Sequence, residues 1–142
     1  MVNKDLQVKI ADNKMWDLIN EKFQNSGGVY ILKCSTSYTY FTPSTINRLL
    51  DCDKNGILYI GKANSFIDRV PNLKKSISPQ YKSTSHECGT RYKSNEIFKD
   101  KLPYDHLYLE LYSSDNPIVL EKEFLKNYED SFGELPPFNR IG

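Results

Sequence analysis

Two short apolar segments, each introduced by glycine, dominate the hydrophobic pattern of the chain. They are Val-Tyr-Ile-Leu at residues 29–32 and Ile-Leu-Tyr-Ile at residues 57–60. Segments of this length between turn-forming residues are typical of strands and are too short for helices. A third segment, residues 107–112, alternates leucine with tyrosine or glutamate, which predicts a strand with its leucines on one face. Residues 1–10 alternate weakly, so they fit either an edge strand or an ordered tail.

Apolar residues spaced by three or four positions predict helices around these strands. The first helix covers about residues 12–25, and its apolar residues share one face: Met15, Trp16, Ile19 and Phe23. At the other end of the chain, Asn116 and Pro117 are an N-cap and a first-turn proline for a last helix, which Gly133 ends.

A helix also follows the second apolar strand. A polar residue at position 64 or 65 caps it, and Phe66 and Val70 are i, i+4 partners on its inward face, with Arg69 beside them. Pro71 lacks a backbone N–H and disfavours helical geometry in the residue before it. The helix is therefore expected to end or kink at Val70.

The composition is that of a folded globular domain. Of 142 residues, 39% are hydrophobic and 26% charged, which predicts one folded domain over residues 1–142, and the predicted strands and helices make it an α/β domain. No apolar stretch has the length of a signal peptide or a membrane span, so we expect a cytoplasmic location and no membrane partner. The three cysteines lack C-x-x-C spacing, which fits reduced thiols.

Positive charge is concentrated in the middle of the chain. Residues 1–60 carry 7 basic and 6 acidic side chains, residues 61–101 carry 9 and 4, and residues 102–142 carry 3 and 8. The middle segment is either a contact surface for a phosphate backbone or a solvated basic surface. On the first interpretation, the residues that bind nucleic acid include Lys74, Lys75, Lys82, Arg91 and Lys93.

Two glutamates of the last predicted helix lie on different faces of it. Glu121 lies on one face with apolar residues at i+3, i+4 and i+7, which are Phe124, Leu125 and Tyr128. Glu123 instead lines up with Lys126, Asn127 and Asp130. A carboxylate on an apolar face must be paired, hydrogen-bonded or bound to a metal. Glu121 is therefore either a partly buried ion-pair partner or a functional ligand.

Several of these pieces occur in an order that identifies a family. Residues 28–30 are Gly-Val-Tyr and residues 59–61 are Tyr-Ile-Gly, followed by Lys62 and Arg69. Glu121 then lies in a helix before the Pro-Pro-Phe-Asn of residues 136–139. In this order the pieces resemble the signature of the GIY-YIG nuclease superfamily. The resemblance implies a small, mainly antiparallel three-stranded sheet flanked by helices, with strands around Tyr30, Tyr59 and Tyr108.

The resemblance also implies catalytic roles around the scissile phosphate. Tyr30 would activate or orient the attacking water, and Tyr59 would position the phosphate or that water. Lys62 would lower the pKa of a tyrosine or neutralise phosphate, because a phenol of pKa near 10 needs help to act as a base. Arg69 offers a bidentate fork to the non-bridging oxygens.

The remaining two matching residues complete the implied site. Glu121 would bind Mg²⁺ or Mn²⁺. A single carboxylate suits Mg²⁺, which keeps most of its waters and takes phosphate oxygens as further ligands. Asn139 would brace the site near the phosphate or a tyrosine.

One departure from the superfamily pattern is an insertion at about residues 35–55. Tyr30 and Tyr59 are 59 − 30 = 29 positions apart, which is more than the usual short hairpin needs. Within the insertion, a Thr-Pro-Ser cap at residues 42–44 predicts a short helix through Ile46, Leu49 and Leu50.

A second departure is Leu73, which stands one turn after Arg69, where many members have histidine or tyrosine. His86 lies in a His-Glu-Cys-Gly segment similar to one that some members carry downstream, so it is the candidate catalytic replacement. The alternative is an ordinary surface histidine.

The expected function is metal-dependent endonucleolytic cleavage of DNA, and pairing of two copies is one way to cut both strands. The alternative is a catalytically inactive module that binds nucleic acid or protein on the same fold. Leu73 and Pro71 favour that alternative. The residues that favour the enzyme are Tyr30, Tyr59, Arg69, Glu121 and Asn139.

Overall fold

The computed structural model describes residues 3–79, 87–93 and 96–139. In chain order the strands are β1 (Leu6–Lys9), β2 (Gly28–Cys34), β3 (Ile46–Asn47), β4 (Cys52–Asp53), β5 (Ile57–Ala63) and β6 (Leu107–Ser113). The helices are α1 (Met15–Phe23), α2 (Phe66–Ile77), α3 (Glu87–Lys93), α4 (Glu96–Lys101) and α5 (Pro117–Phe132), with a 3₁₀ turn at Tyr104–His106. No helix in these ranges is long and apolar enough to span a bilayer.

Four strands form one antiparallel sheet in the order β1-β6-β2-β5. The expected antiparallel sheet flanked by helices is present, but the expected number of three strands is wrong. The fourth strand is β1, in which Leu6 pairs with Leu111 and Val8 pairs with Leu109. The apolar alternation within residues 6–9 is too short to distinguish a strand from an ordered tail. Pairing with β6 makes these residues a strand.

The sheet separates two apolar layers. Leu107, Leu109 and Leu111 of β6 face a larger core that includes the buried sides of α1 and α2. Tyr112 of β6 and Ile31 of β2 face a smaller cluster beneath α5. The predicted leucine face of β6 is therefore confirmed. β2 is buried along its whole length because it is a central strand with an apolar layer on each face.

The first predicted helix is confirmed, with shorter bounds than about 12–25. Met15, Ile19 and Phe23 of α1 are buried in the larger core. Trp16, which was expected on the same face, is exposed instead. The three buried residues are spaced by four positions and so form a narrow stripe, which leaves the neighbouring position outside it.

Helix α2 continues through Pro71, so the helix does not end at Val70, the first of the two expected alternatives. Beyond the proline, Leu73 and Ile77 are buried in the larger core. A proline inside a helix costs about 3 kcal/mol, and burial of two such side chains contributes about 1.5–3 kcal/mol each. Packing of the second half of α2 therefore offsets the lost backbone hydrogen bond.

The last helix has the predicted ends. The Asn116 side chain caps α5 by accepting a hydrogen bond from the Val119 N–H at 3.4 Å, and Pro117 occupies the first turn. Gly133 ends the helix in the left-handed conformation, with φ of 79°.

The insertion contains the β3–β4 hairpin instead of the expected short helix. The Arg48 N–H donates to the Asp51 carbonyl at 3.0 Å and closes a turn over the positions that the helix would have needed. Asp53, fully buried, accepts hydrogen bonds from the Ile57 N–H at 3.0 Å and from the Tyr128 hydroxyl at 3.0 Å. These bonds tie the insertion to β5 and α5.

Candidate active site

Gly61 creates the space in which two tyrosine rings lie. It is the cross-strand partner of Tyr30, and a Cβ atom at position 61 would lie 2.5 Å from Tyr30 Cζ, 2.6 Å from its hydroxyl and 2.7 Å from Tyr59 Cε2. The two ring centroids are 6.1 Å apart. Only glycine therefore fits beneath this pair of phenols.

The Tyr30 hydroxyl lies within a set of polar side chains. It accepts a hydrogen bond from Arg69 and is hydrogen-bonded to Tyr59, and the buried thiol of Cys88 interacts with it electrostatically. Burial raises the pKa of Tyr30 to about 12, although Arg69 and Tyr59 oppose that shift. Tyr30 is consequently a neutral phenol at neutral pH.

Helix α2 holds Arg69 next to these phenols. Phe66 and Val70 are fully buried and fix the inward face of the helix, and the Arg69 N–H donates to the Ser65 carbonyl at 3.1 Å in its first turn. A cavity of about 340 Å³ opens between this turn and the end of β5, lined by Lys62, Ala63, Asn64, Ser65, Asp68, Arg69 and Asn72. The guanidinium thus lies at the border between a buried phenol and a polar cavity.

Glu121 of α5 lies against the same end of β5. Its carboxylate is 3.6 Å from Lys62 Nζ, and its side chain is 19% exposed, whereas Glu123 is exposed. The burial difference agrees with the periodicity of the helix. The Lys62 side chain is 47% exposed, so this ion pair contributes little to stability.

The Glu121 carboxylate is the expected metal ligand of this site. Among residues 3–79, 87–93 and 96–139, no group of three or more His, Cys, Asp or Glu side chains is placed to hold an ion. The accessible oxygens of Glu121 fit Mg²⁺ or Mn²⁺ if water and phosphate supply the other ligands, because these ions accept oxygen donors and Mg²⁺ keeps several waters.

Asn139 braces β5 from its outer side. Its side chain accepts from the Ile60 N–H at 2.9 Å and donates to the Ile60 carbonyl at 2.9 Å. Arg91 Nη1 in turn donates to the Asn139 carbonyl at 3.0 Å. Arg91, which was expected to contact nucleic acid, therefore lies beside the candidate site.

The lysines expected to bind nucleic acid are not equally available. Lys75 is exposed, whereas Lys74 Nζ donates to the Asp12 carbonyl at 3.2 Å and burial lowers the pKa of Lys74. Burial also lowers the pKa of Lys93, which lines a cavity of about 500 Å³ beside α3. Lys82 lies outside the described residues.

The position that lacks the histidine or tyrosine of the superfamily is part of the core. Leu73 is fully buried among apolar side chains. His86 lies outside the described residues, so its suggested replacement of that residue stays a prediction. The other histidine, His106, is remote from Gly61 in the sheet, because its Nδ1 is 3.0 Å from the Ser35 carbonyl, just past the far end of β2.

Two features of the site were missed from the sequence. Cys88 was considered only as a reduced thiol or as a weak candidate metal ligand with His86, yet it is buried in the same core cluster as Tyr30 and interacts electrostatically with it. The strand pairing of Tyr30 with Gly61 was also missed. This pairing depends on the register between β2 and β5, which cannot be read from a single sequence.

Comparison of the chain with protein-family models, with curated proteins and with solved structures finds no match. Membership of the GIY-YIG superfamily therefore stays a prediction, and it rests on the residues described above.

Proposed function

We propose that this protein is a metal-dependent endonuclease that hydrolyses DNA phosphodiester bonds by a GIY-YIG-type mechanism. The observation that carries the proposal is the placement of the Tyr30 hydroxyl over Gly61, where it is hydrogen-bonded to Tyr59 and accepts from Arg69. Lys62 and Glu121 adjoin this group at the end of β5. Phosphodiester hydrolysis requires an oriented water, a base, positive charge for the transition state and help for the leaving oxygen, and these side chains can supply such groups.

Each side chain has a role in this proposal. Arg69 binds the non-bridging oxygens of the scissile phosphate, because the two N–H groups of a guanidinium fork match two phosphate oxygens. Tyr30, neutral below a pKa of about 12, orients the attacking water through its hydroxyl. Tyr59 positions the phosphate, and Lys62 neutralises its charge.

Glu121 is the residue that would hold Mg²⁺ or Mn²⁺. The ion would supply positive charge for the leaving oxygen and the phosphate. Lys62 Nζ is 3.6 Å from the Glu121 carboxylate, so the lysine would contact phosphate beside the residue that would hold the ion.

The test is nicking of supercoiled plasmid DNA with Mg²⁺, with and without a chelator. Glu121→Ala is expected to abolish nicking, because it removes the proposed ligand. Glu123→Ala, two residues away on the exposed side of α5, is the matched control and is expected to cut like the wild type. Loss of activity in Glu123→Ala alone would show that the assignment of the ligand is wrong.

A second candidate function is a catalytically inactive module that binds DNA or protein. The observation that favours it is the complete burial of Leu73, which leaves that position without a proton-handling or phosphate-contacting group. DNA binding without cleavage in Mg²⁺ and in Mn²⁺ would support this candidate and contradict the nuclease.

A further inference from the structure

The insertion carries a closed loop at residues 36–42, which we name the aromatic loop. Its ends are held by an antiparallel bridge between Ser35 and Pro43. Two backbone hydrogen bonds flank the bridge, from the Thr36 N–H to the Thr42 carbonyl and from the Ser44 N–H to the Cys34 carbonyl, both at 2.8 Å. The loop therefore leaves and rejoins the fold at one place.

Side chains fix the interior of the aromatic loop. Ser35 Oγ donates to the Tyr40 carbonyl at 2.6 Å and accepts from the Thr42 N–H at 3.1 Å. Lys9 Nζ donates to the carbonyls of Ser37 at 2.8 Å and Tyr40 at 2.7 Å. Lys9 Nζ also lies 5.1 Å from the centroid of the Phe41 ring, which packs edge-on against Tyr108. This much internal bonding gives the loop a defined conformation.

Two aromatic side chains of this ordered loop project into solvent. Tyr38 and Tyr40 are each 70% exposed. The Tyr38 ring lies 6.5 Å from the His106 ring, measured between centroids, and both tyrosines keep most of their surface open. Phe41, by contrast, anchors the loop on Tyr108. Exposed rings on a rigid support offer stacking surfaces at a low entropic cost.

The segment that carries these rings would not repel a phosphate-bearing ligand. Residues 35–50 contain no aspartate or glutamate, although the chain has 18 acidic residues. Most of the polar residues between positions 35 and 45 are serine or threonine. Hydroxyl groups commonly contact phosphate and sugar oxygens, and the absence of carboxylates from this segment removes the repulsion that acidic side chains would impose on a nucleic-acid backbone.

From these observations we propose that Tyr38 and Tyr40 stack on unpaired bases of DNA, so that the aromatic loop is a second nucleic-acid contact that favours single-stranded or unpaired regions. Base stacking on aromatic side chains tolerates different sequences, because every base has a π-face. The proposal rests on the proposed function for its choice of DNA as the ligand.

The loop is separate from the candidate active site. Tyr30 lies near the start of β2, and Ser35 follows its end, so about five residues of strand, or roughly 17 Å, separate the two. A strand of DNA that contacts both places would span several nucleotides. The loop would therefore select substrates with unpaired bases a short distance from the cleaved bond.

The experiment measures binding of a fluorescein-labelled oligodeoxythymidine of about ten nucleotides, a length that matches single-strand binding sites. Fluorescence anisotropy is recorded in the presence of chelator, so that binding is independent of cleavage. Tyr38→Ala/Tyr40→Ala is expected to raise Kd at least about tenfold, because each tenfold change corresponds to about 1.4 kcal/mol. Tyr38→Phe/Tyr40→Phe keeps both rings and is expected to stay within about threefold of the wild type.

Two controls separate stacking from other causes. Leu49→Ala changes an apolar residue of the same insertion that is 74% exposed, and it should leave Kd unchanged. A fully paired duplex of the same length should respond to the alanine double variant by less than about threefold, because its bases are not available for stacking. Unchanged thermal unfolding of every variant is expected, since the altered side chains are exposed.

The proposal is overturned if the alanine double variant binds the oligonucleotide like the wild type, in which case the exposed rings are free for a protein partner instead. It is equally overturned if the phenylalanine variant loses as much affinity as the alanine variant, or if duplex binding falls as far as single-strand binding. If the protein cleaves plasmid but the alanine double variant binds the oligonucleotide with wild-type Kd, this proposal alone is refuted. Binding through the loop without any cleavage would refute the nuclease alone.

Discussion

The side chain of Asn139 pairs with both backbone groups of Ile60, as a neighbouring strand would. Both hydrogen bonds are 2.9 Å long, and the Phe138 N–H adds a third at 2.9 Å to the Leu58 carbonyl. β5 is an edge strand of the sheet, so these groups would otherwise face solvent. The residue between Tyr59 and Gly61 is thereby fixed from both sides, by β2 and by residues 138–139.

Asn139→Ala should therefore lower both stability and activity. Loss of two hydrogen bonds at a partly buried position is expected to reduce the free energy of unfolding by about 1–3 kcal/mol, as measured by urea denaturation. Plasmid nicking should fall at least about tenfold, because displacement of the strand moves both phenols. Asn127→Ala, on the exposed side of α5, is the control. Wild-type unfolding of Asn139→Ala would show that the contact does not support β5.

Gly61→Ala and Tyr30→Phe together should separate the position of the two phenol rings from the chemistry of the Tyr30 hydroxyl. The new methyl group would overlap the Tyr30 and Tyr59 rings, so we expect a loss of about 1–3 kcal/mol in stability and of at least about 100-fold in nicking rate. Tyr30→Phe keeps the ring and removes the hydroxyl, so it should lose activity while its stability changes by about 1 kcal/mol. An active Tyr30→Phe would contradict the role assigned to that hydroxyl.

The salt dependence of DNA binding should distinguish two neighbouring lysines. Lys75 is exposed, whereas Lys74 is engaged with the Asp12 carbonyl. Lys75→Gln is expected to reduce the slope of log K against log salt concentration by about 0.9, the value for one phosphate contact. Lys74→Gln should change the slope less. Equal effects, or binding that is independent of salt, would count against the proposed contact surface.

Alkaline pH should destabilise the protein through its buried tyrosines. Burial raises the pKa of Tyr30 to about 12 and also raises that of Tyr92, Tyr108, Tyr112 and Tyr128. Phenols of the unfolded chain lose protons near pH 10, before those of the folded chain. Stability is therefore complete below pH 10 and falls as pH rises toward 12.

The urea midpoint at pH 8, 10 and 11 measures this effect, and it should decrease between the last two values. Tyr108→Phe provides a matched variant. Its hydroxyl is buried, and no hydrogen-bond partner for it is present among the described residues, so its removal should cost little at pH 8 and should weaken the alkaline loss. A midpoint that does not change between pH 10 and 11 would contradict the burial of these phenols.

The sequence correctly predicted those elements that depend only on residues close together in the chain. The strands around Tyr30, Tyr59 and Tyr108, the ends of α5 and the contrast between Glu121 and Glu123 all follow from spacing and capping chemistry. These features need no knowledge of distant partners.

Features that depend on contacts between distant segments could not be predicted in this way. Strand β1 exists because it pairs with β6, about a hundred positions away. Helix α2 continues past Pro71 because Leu73 and Ile77 reach the core. The burial of Cys88 in the core and the contact of Arg91 with Asn139 likewise depend on how α3 packs. The periodicity of a short segment does not contain this information.

The Ser35–Pro43 bridge makes the aromatic loop an exchangeable unit. Because its two ends meet at a hydrogen-bonded pair of residues, the segment between them can be replaced by another of similar length without moving β2 or β5. Substrate preference could thus be re-engineered at residues 37–41 while the strands that carry Tyr30 and Tyr59 keep their register.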